Sequence, residues 1–320
     1  MKLLVTGSAS HLSHVLLPAL FASTDISQVI GIDLRPSQLS HAKYQEHLVD
    51  IRSPQLSNLM GGVDAVVHLA FVVLRSQLGN HRHNRSLIHD INVNGSKHVF
   101  NIAQQQGVKK IVYTSSAVVY GALAGNPPLI TEHQTRRVMH DFAYAEDKNA
   151  IEDWLDTFCE THLDMQVVRL RPHVILGPCA HPFLLSLLNQ PFYPKFAKPL
   201  PLTQCVWETD VVQAILSSLR KPVQGAFNLA AQPPLAFVDM LRINHRHPIA
   251  VPFKLIRSLH KILWKFTHLG EDPGWLEGMP YSLAINTDKA KHELAWEPEF
   301  TTQACIKKAY NLKTNVERQY

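Results

Sequence analysis

Residues 2–13 read KLLVTGSASHLS, a β-type run, a glycine and a short run of small residues ahead of a helical pattern. KLLVT (2–6) is a short β-type run, and Gly7 opens a turn of small residues. Leu12, Val15, Leu16, Ala19 and Leu20 then recur at helical spacing across 11–21. Apolar positions at that period predict a helix laid on a sheet, and Pro18 inside it predicts a bend or an early end. A strand, a glycine turn and a helix N-terminus together make an anion site. Unpaired N–H groups and the positive helix end face the charge, and a missing side chain lets backbone come close. Gly7 alone, with Ser10 and Ser13 where further glycines would strengthen the pattern, also suits an ordinary strand–helix turn.

Working outward, QVIGID (28–33) predicts a second strand ending on Asp33, with a third around 47–49 and a buried parallel strand at 64–70, DAVVHLA. Helical spacing over about 84–106 leads into strand 108–115. A helix over about 144–161 leads into strand 165–171. Strand and helix alternating on short links predict right-handed crossovers and an α/β fold with a doubly wound parallel, Rossmann-type sheet. The pattern changes after 171. Pro172, Pro178, Pro182, Pro191, Pro194, Pro199 and Pro201 are seven of the twenty prolines, and they argue against long regular elements over 172–205. A helix at 206–221 and a strand at 226–230 follow. The expected division is a dinucleotide-binding domain of 1–175 plus 206–230, and a smaller substrate-binding domain of 176–205 plus 231–320.

A carboxylate 26 residues beyond Gly7, at the end of the second strand, accepts hydrogen bonds from ribose hydroxyls and repels a 2′-phosphate. Asp33 therefore favours NAD over NADP, although Arg35 nearby is a group that pairs with such a phosphate, and a turn-forming Asp is the plainer reading. Tyr144 and Lys148 stand four apart in YAEDK, on one face of the predicted helix. Hydride exchange at an alcohol or ketone needs a proton carrier. A phenol with a pKa near 10 needs a neighbouring cation before its phenolate is favoured. Ser116, after strand 108–115, is placed to hold a substrate oxygen. The same pair on a solvated helix face would do nothing.

Composition narrows the classes. The 320 residues are 46% apolar and 18% charged, with a net charge of +5 from scattered basic residues. This suits a folded, soluble chain, and with no basic stripe interleaved with aromatics no nucleic-acid partner is expected. Cys159, Cys179, Cys205 and Cys305 are far apart and unpaired in spacing, as in a reducing compartment. Nineteen histidines form no HExxH or Cys/His cluster, so no metal is expected, and His81 and His83 read as a polar loop. The start runs straight into strand and turn without a leader pattern, and no apolar run approaches a bilayer span. A cytoplasmic setting is expected.

Taken together, these segments resemble the extended short-chain dehydrogenase/reductase family of NAD-dependent epimerase/dehydratase type. TGSASHLS is similar to its TGxxGxxG turn, beginning at Thr6. Asp33 falls on the ribose acid and Asp50 and Ile51 on the adenine-contacting pair. His68, Leu69 and Ala70 match the HLA segment, and Asn92 and Gly95 match N-x-x-G. TSSAVVYG (114–121) resembles the Ser-rich signature with Ser116 at the catalytic serine, and Tyr144 and Lys148 fall on YxxxK. Arg171, Pro172, Gly177 and Pro178 resemble RPxxxxGP, and Asp210, GAFNLA (225–230) and LAWEP (294–298) extend the match. The resemblance implies Ser116, Tyr144 and Lys148 as the catalytic set. It implies NAD held by Gly7, Ser10, His11, Leu12, Asp33, Asp50, Ile51, Leu69, Ala70, Asn92, Tyr144 and Lys148. It also implies a homodimer built on parts of 84–106 and 144–161.

Departures from the family shape the substrate expectation. Val174 replaces an Asn usual in nucleotide-sugar members, and Thr203 replaces an Arg that often holds substrate phosphate. Lys195 and Lys198 are the only Lys or Arg in 172–205. Phe183, Leu184, Leu187, Leu188, Phe192, Tyr193 and Phe196 suggest an apolar pocket or lid, or the small domain's own core. The expected activity is NAD-dependent oxidoreduction of a secondary alcohol or ketone in a small-molecule substrate. A nucleotide-sugar epimerase or dehydratase, or a non-catalytic dinucleotide sensor, are the alternatives. FKLIRSLHKILWKF (253–266) is basic and amphipathic. Its expected role is a helix with Leu255, Ile256, Leu259, Ile262, Leu263 and Phe266 on the core, and a peripheral membrane contact is the sharper alternative.

Overall fold

Neighbouring residues of a strand leave it on opposite faces, and here both faces are covered. From the first strand, Leu3 and Val5 pack with Leu16, Leu17, Leu20, Ile215 and Leu219 on one side. Leu4 packs with Val99, Phe100, Ile151, Leu155 and Phe158 on the other. This two-sided burial explains why the strands read as near-continuous apolar runs. The computed structural model describes residues 1–73, 84–179, 192–196, 198–243, 249–267 and 272–317.

The strands are β1 (Lys2–Thr6), β2 (Gln28–Asp33), β3 (Tyr44–Leu48), β4 (Ala65–His68), β5 (Lys110–Thr114), β6 (Gln166–Pro172), β7 (Val174–Leu176), β8 (Phe192–Lys195), β9 (Leu202–Thr203), β10 (Cys205–Trp207), β11 (Gly225–Leu229), β12 (Leu235–Ala236) and β13 (Ile249–Pro252). Seven form one parallel sheet in the order β11-β6-β5-β4-β1-β2-β3, and the rest pair as β10-β7, β12-β9 and β13-β8. The chain moves outward from β1 to β3 and then returns to β4 on the other side of β1. That reversal opens a crevice beyond the carboxyl ends of β1 and β4, the place where such sheets bind ligands.

Eleven helices occur among the described residues. They are α1 (Ser13–Ala22), α2 (Leu56–Leu59), α3 (Arg85–His89), α4 (Gly95–Gln105), α5 (Ala143–Thr161), α6 (Glu208–Arg220), α7 (Phe237–Arg242), α8 (Phe253–Thr267), α9 (Gly274–Gly278), α10 (Asp288–Leu294) and α11 (Thr302–Glu317). A wide π-type turn, Asp90–Asn94, joins α3 to α4.

Four expectations need correction. The first helix starts at Ser13, because Ser10–Leu12 belong to the turn. It continues through Pro18, which faces solvent above an equally exposed His14, so the carbonyl deprived of a partner can bond water. The third strand begins at Tyr44 rather than 47. Its half-exposed residues hide the apolar pattern, while the Tyr44 hydroxyl and ring edge lie where any side chain on Gly31 would stand, the ring carbons 2.7 Å from an ideal Cβ. Lastly, α8 does not lay its whole apolar side on the core. Leu255, Leu259, Ile262 and Leu263 are exposed, because packing reaches the helix from β13 and β8 on one side. The side chains of Phe192 and Phe266, and all of Phe183, Leu184, Leu187, Leu188, His81 and His83, lie outside the description.

Candidate active site

The phosphate turn is shaped by Gly7. Its φ is +74°, and a Cβ there would stand 2.6 Å from the Ala70 nitrogen, so the β1 and β4 ends meet only because no side chain intervenes. The serines that replace glycines are used in building the turn. Ser13 is buried and donates from Oγ to the Gly7 carbonyl at 2.7 Å, and its Oγ lies 3.0 Å from Ser10 Oγ. Ser10, His11 and Leu12 remain on the wall of the central cavity, at the N-terminal end of α1, which has no acidic residue in its first turn. An anion fits this end of the cavity.

A buried relay stiffens the same crevice. Ser96 Oγ donates to the Asn92 carbonyl, and so accepts from His68 Nε2 at 2.9 Å. His68 Nδ1 then accepts from Thr6 Oγ1 at 2.6 Å, and Thr6 Oγ1 accepts from the Ala70 N–H at 3.4 Å. Burial first, then the Lys148 charge, pushes His68 down to about 3, so it serves as a neutral spacer between strand and helix.

Residues assigned to the adenosine end lie at the ends of β2 and β3, away from the cavity wall. Asp33 is partly exposed. It accepts from the Ala9 N–H at 3.0 Å and the Arg35 N–H at 3.1 Å, so it ties down the Gly7 turn from beneath. Asp50 is engaged by Arg52 through both oxygens. Ile51 is buried, and its Cδ1 would be 2.7 Å from a Cβ on Gly95, which explains the glycine of N-x-x-G. Asn92 lies in the π-type turn. It donates to the Val72 carbonyl (2.9 Å) and Asp147 (2.8 Å) and accepts from the Val72 N–H (2.7 Å), so it fixes the chain just after Leu69 and Ala70.

Ser116, Tyr144 and Lys148 all reach one cavity of about 480 Å³. Ser116 follows β5 and caps a single 3₁₀ turn, Ala117–Tyr120, its Oγ accepting from the Val118 N–H at 3.2 Å. Tyr144 and Lys148 sit in the first turns of α5. Burial pushes the Tyr144 phenol above its ordinary 10, and a hydrogen bond with Ser116 works the other way. Lys148 Nζ donates to the Thr114 carbonyl at 2.8 Å and the Tyr113 hydroxyl at 3.3 Å. It also stands 3.9 Å from the centre of the Phe71 ring and 6.0 Å from that of Tyr144. Burial pulls this ammonium down to about 7, against the upward pull of Glu152 and Asp147.

Several residues of the site carry no readable sequence signal. Phe71 and Trp275 flank Tyr144, with ring centres at 5.4 and 6.0 Å. Gly274 lets α9 close on Phe142, 2.2 Å from an ideal Cβ, and this brings Trp275 against α5. Glu152, one turn after Lys148, is buried and accepts from Arg171, Arg169 and Ser115. His173 accepts the Val174 N–H at Nδ1 and donates from Nε2 to the Leu283 carbonyl, and burial holds it near 4 and therefore uncharged. Val174 and Thr203 lie on the cavity wall, joined by Met139, Leu176, Leu202, Phe237, Met240 and Met279. Among the described residues of that wall, Lys148 is the only Lys or Arg, and there is no Asp or Glu. No group of His, Cys, Asp and Glu suited to a metal ion occurs among the described residues.

Comparison with known proteins agrees with this architecture. An uncharacterized protein of Mycobacterium tuberculosis is 25% identical over 310 residues, covering 93% of this chain and 80% of that one. The N-acetyl-alpha-D-glucosaminyl-diphospho-ditrans,octacis-undecaprenol 4-epimerase of Escherichia coli O157:H7 is 31% identical over 146 residues, 44% of this chain and 40% of its own. Among solved structures, MoeE5 in complex with UDP-glucuronic acid and NAD shares the fold, with a TM-score of 0.75 and 19% identity over 99% of this chain and 100% of that one. A family model described as the NAD dependent epimerase/dehydratase family matches residues 3–230. Matched over most of its length, the chain belongs to the NAD dependent epimerase/dehydratase family.

Proposed function

We propose that this chain binds NAD across the β1/β4 crevice and performs reversible hydride transfer at a carbinol or carbonyl carbon of a small molecule whose remaining surface is largely apolar. The observation that carries the reading is the convergence of Ser116, Tyr144 and Lys148 on a cavity whose wall is mostly apolar, with neutral polar groups such as Thr203 and Gln204 and no Arg among its described residues. A diphosphate is ordinarily held by several cations or oriented N–H donors, and the substrate side offers few. The proposed substrate side comes from 176–205 and 231–320, and the proposed cofactor side from 1–175 with 206–230.

Ser10, His11 and Leu12 would receive the pyrophosphate, Asp33 the adenosine ribose, and Asp50 and Ile51 the adenine. Leu69 and Ala70 would border the cofactor, with Asn92 fixing that segment in place. Bound there, NAD supplies or accepts the hydride. The chain's own part is proton movement and orientation. Ser116 Oγ donates a hydrogen bond to the substrate oxygen. The Tyr144 hydroxyl gives its proton to that oxygen in reduction and takes it back in oxidation. Lys148, while charged, lowers the cost of the phenolate and anchors the nicotinamide ribose. Phe71 and Trp275 exclude water from the Tyr144 ring, and this strengthens each of these interactions.

A second reading shares the first step. Oxidation of one carbinol also begins epimerisation or dehydration, and the family name and the sugar-nucleotide ligands of structures sharing this fold favour it. The Escherichia coli relative joins the two readings, since its name describes a sugar diphosphate on a long isoprenoid chain. The test is kcat/KM across a panel of apolar secondary alcohols and ketones, UDP-sugars and isoprenoid-linked sugars. Preference for the apolar alcohols and ketones supports the proposal. Preference for UDP-sugars or isoprenoid-linked sugar diphosphates would replace it with the second reading.

A further inference from the structure

Helix α8 carries FKLIRSLHKILWKFT, and at 100° per residue its side chains separate into three arcs. Phe253, Ile256, His260 and Trp264 share the first and are half-buried. Lys254, Arg257, Ser258 and Lys261 share the second. Leu255, Leu259 and Ile262 share the third, at positions i, i+4 and i+7, and they are 51%, 53% and 56% exposed. Ile249 on the adjoining β13 is 61% exposed. Single exposed leucines are common on protein surfaces, but a helical stripe of them beside another exposed isoleucine is a surface for burial against something else.

Charge says what that something is. Arg257 and Lys261 both reach Glu277 Oε1 at 2.8 Å, and two cations on one carboxylate leave one positive charge over. Lys254 adds another, and no Asp or Glu occurs from 249 to 267. An apolar stripe bordered by positive charge complements a hydrocarbon layer topped by anionic headgroups. At 1.5 Å per residue the helix is about 22 Å long, and among the described residues no helix is long and apolar enough to cross a membrane. It would lie in the interface plane. Glu277 also ties α8 to α9, whose Gly274, Trp275 and Gly278 wall the cavity.

We propose that α8, with Ile249, docks this chain on the surface of an anionic lipid bilayer, beside the wall of the active-site cavity. The docking stands independently of the substrate reading.

The test is co-sedimentation of the full chain with vesicles of phosphatidylcholine alone and of phosphatidylcholine mixed with phosphatidylglycerol. The expected result is several-fold tighter binding to the anionic vesicles, weakening as salt is raised. The triple variant Leu255→Ser, Leu259→Ser, Ile262→Ser should lose this binding while keeping the wild-type melting temperature and NAD affinity. Lys254→Gln should weaken it roughly fivefold, the scale of one basic residue at an anionic surface. Equal sedimentation of wild type and triple variant with anionic vesicles would overturn the proposal. So would absence of vesicle binding together with a self-association that the triple variant abolishes, which would assign the face to a second copy of this chain.

Discussion

Helices α5 and α8 invert the usual relation between polarity and burial, in opposite senses. In α5, Asp147, Lys148, Asn149 and Glu152 are buried. In α8, Leu255, Leu259 and Ile262 face outward. The buried polar face of α5 is held by partners. Arg85, His89 and Asn92 converge on Asp147, and three donors converge on Glu152. Lys148 donates to a carbonyl and a phenol and lies over the Phe71 ring, and burial pulls its ammonium down to about 7 despite the carboxylates of Glu152 and Asp147. The outward face of α8 has apolar area and positive charge without acidic neighbours on its own helix. A polar group kept inside against its preference, and an apolar one kept outside, mark where a chain gives up stability for function. The inside case belongs to chemistry, and the outside case to contact.

The sharpest break would come at Tyr144. Tyr144→Phe keeps the ring between Phe71 and Trp275 and removes only the hydroxyl. It should leave the melting temperature and NAD affinity near wild type and lower kcat by about 10²–10⁴-fold. An unchanged single-turnover rate on a competent substrate would remove Tyr144 from the mechanism.

A smaller effect addresses the cavity wall. Replacing Val174 by Asn and Thr203 by Arg places a hydrogen-bonding group and a cation on the wall. kcat/KM for apolar alcohols should fall and that for UDP-sugars should rise, each by about tenfold, the scale of one added or lost polar contact. Steady-state competition between the two substrate classes checks this. No shift in preference would mean that the wall is not the substrate side.

The buried ammonium of α5 makes stability depend on pH. Lys148 is held at about 7 in the folded chain against an ordinary 10.5. Between those values the unfolded chain binds more protons, so Lys148 makes stability rise as pH climbs from about 7 to 10.5. Glu208, buried above Gly177, is pushed up to about 7 from 4.5 by burial. There the folded chain binds more protons, so stability falls as pH climbs from 4.5 to about 7. Denaturant titrations across pH should show Lys148→Met flattening the upper limb and Glu208→Gln the lower. At pH 7 the Lys148→Met variant should melt no lower than wild type while losing turnover and NAD affinity. A lower melting temperature would show that Lys148 is a structural cation rather than one held ready for the site.

A slighter change is expected at the Gly7 turn. Ser13→Ala removes the hydroxyl that the Gly7 carbonyl depends on. A lost hydrogen bond of this kind costs about 1 kcal/mol, a fall of roughly 2 °C in Tm for a chain of this size, with NAD affinity reduced in parallel if the turn holds the pyrophosphate. Differential scanning calorimetry and NAD titration separate these two readouts.

How much of this could be read in advance follows from where the information resides. The parallel sheet was legible because burial on both faces forces runs such as KLLVT and DAVVHLA. The YxxxK pair was legible because helical spacing alone puts Tyr144 and Lys148 on one face. The third strand was expected around 47–49, but its start at Tyr44 was not legible, since its residues are half-exposed and its position depends on a ring lying over Gly31. Phe71, Trp275 and Glu152 were also invisible. Their importance comes from contacts across the chain, such as α9 closing on Phe142 at Gly274, and no local period records them. In sequence the serines of the turn only weaken a glycine pattern. In the structure Ser13 satisfies the Gly7 carbonyl, a compensation that needs three dimensions to see. For α8 the amphipathic pattern was plain, but a pattern cannot say which side meets the protein.

A crystal structure of the chain with NAD bound would place each proposed contact at once. The pyrophosphate should lie over Ser10, His11 and Leu12, the adenosine ribose on Asp33, and the nicotinamide beside Tyr144 and Lys148, open to the largely apolar cavity. A nicotinamide ring remote from Tyr144, or a pyrophosphate bound anywhere but the Gly7 turn, would contradict that placement.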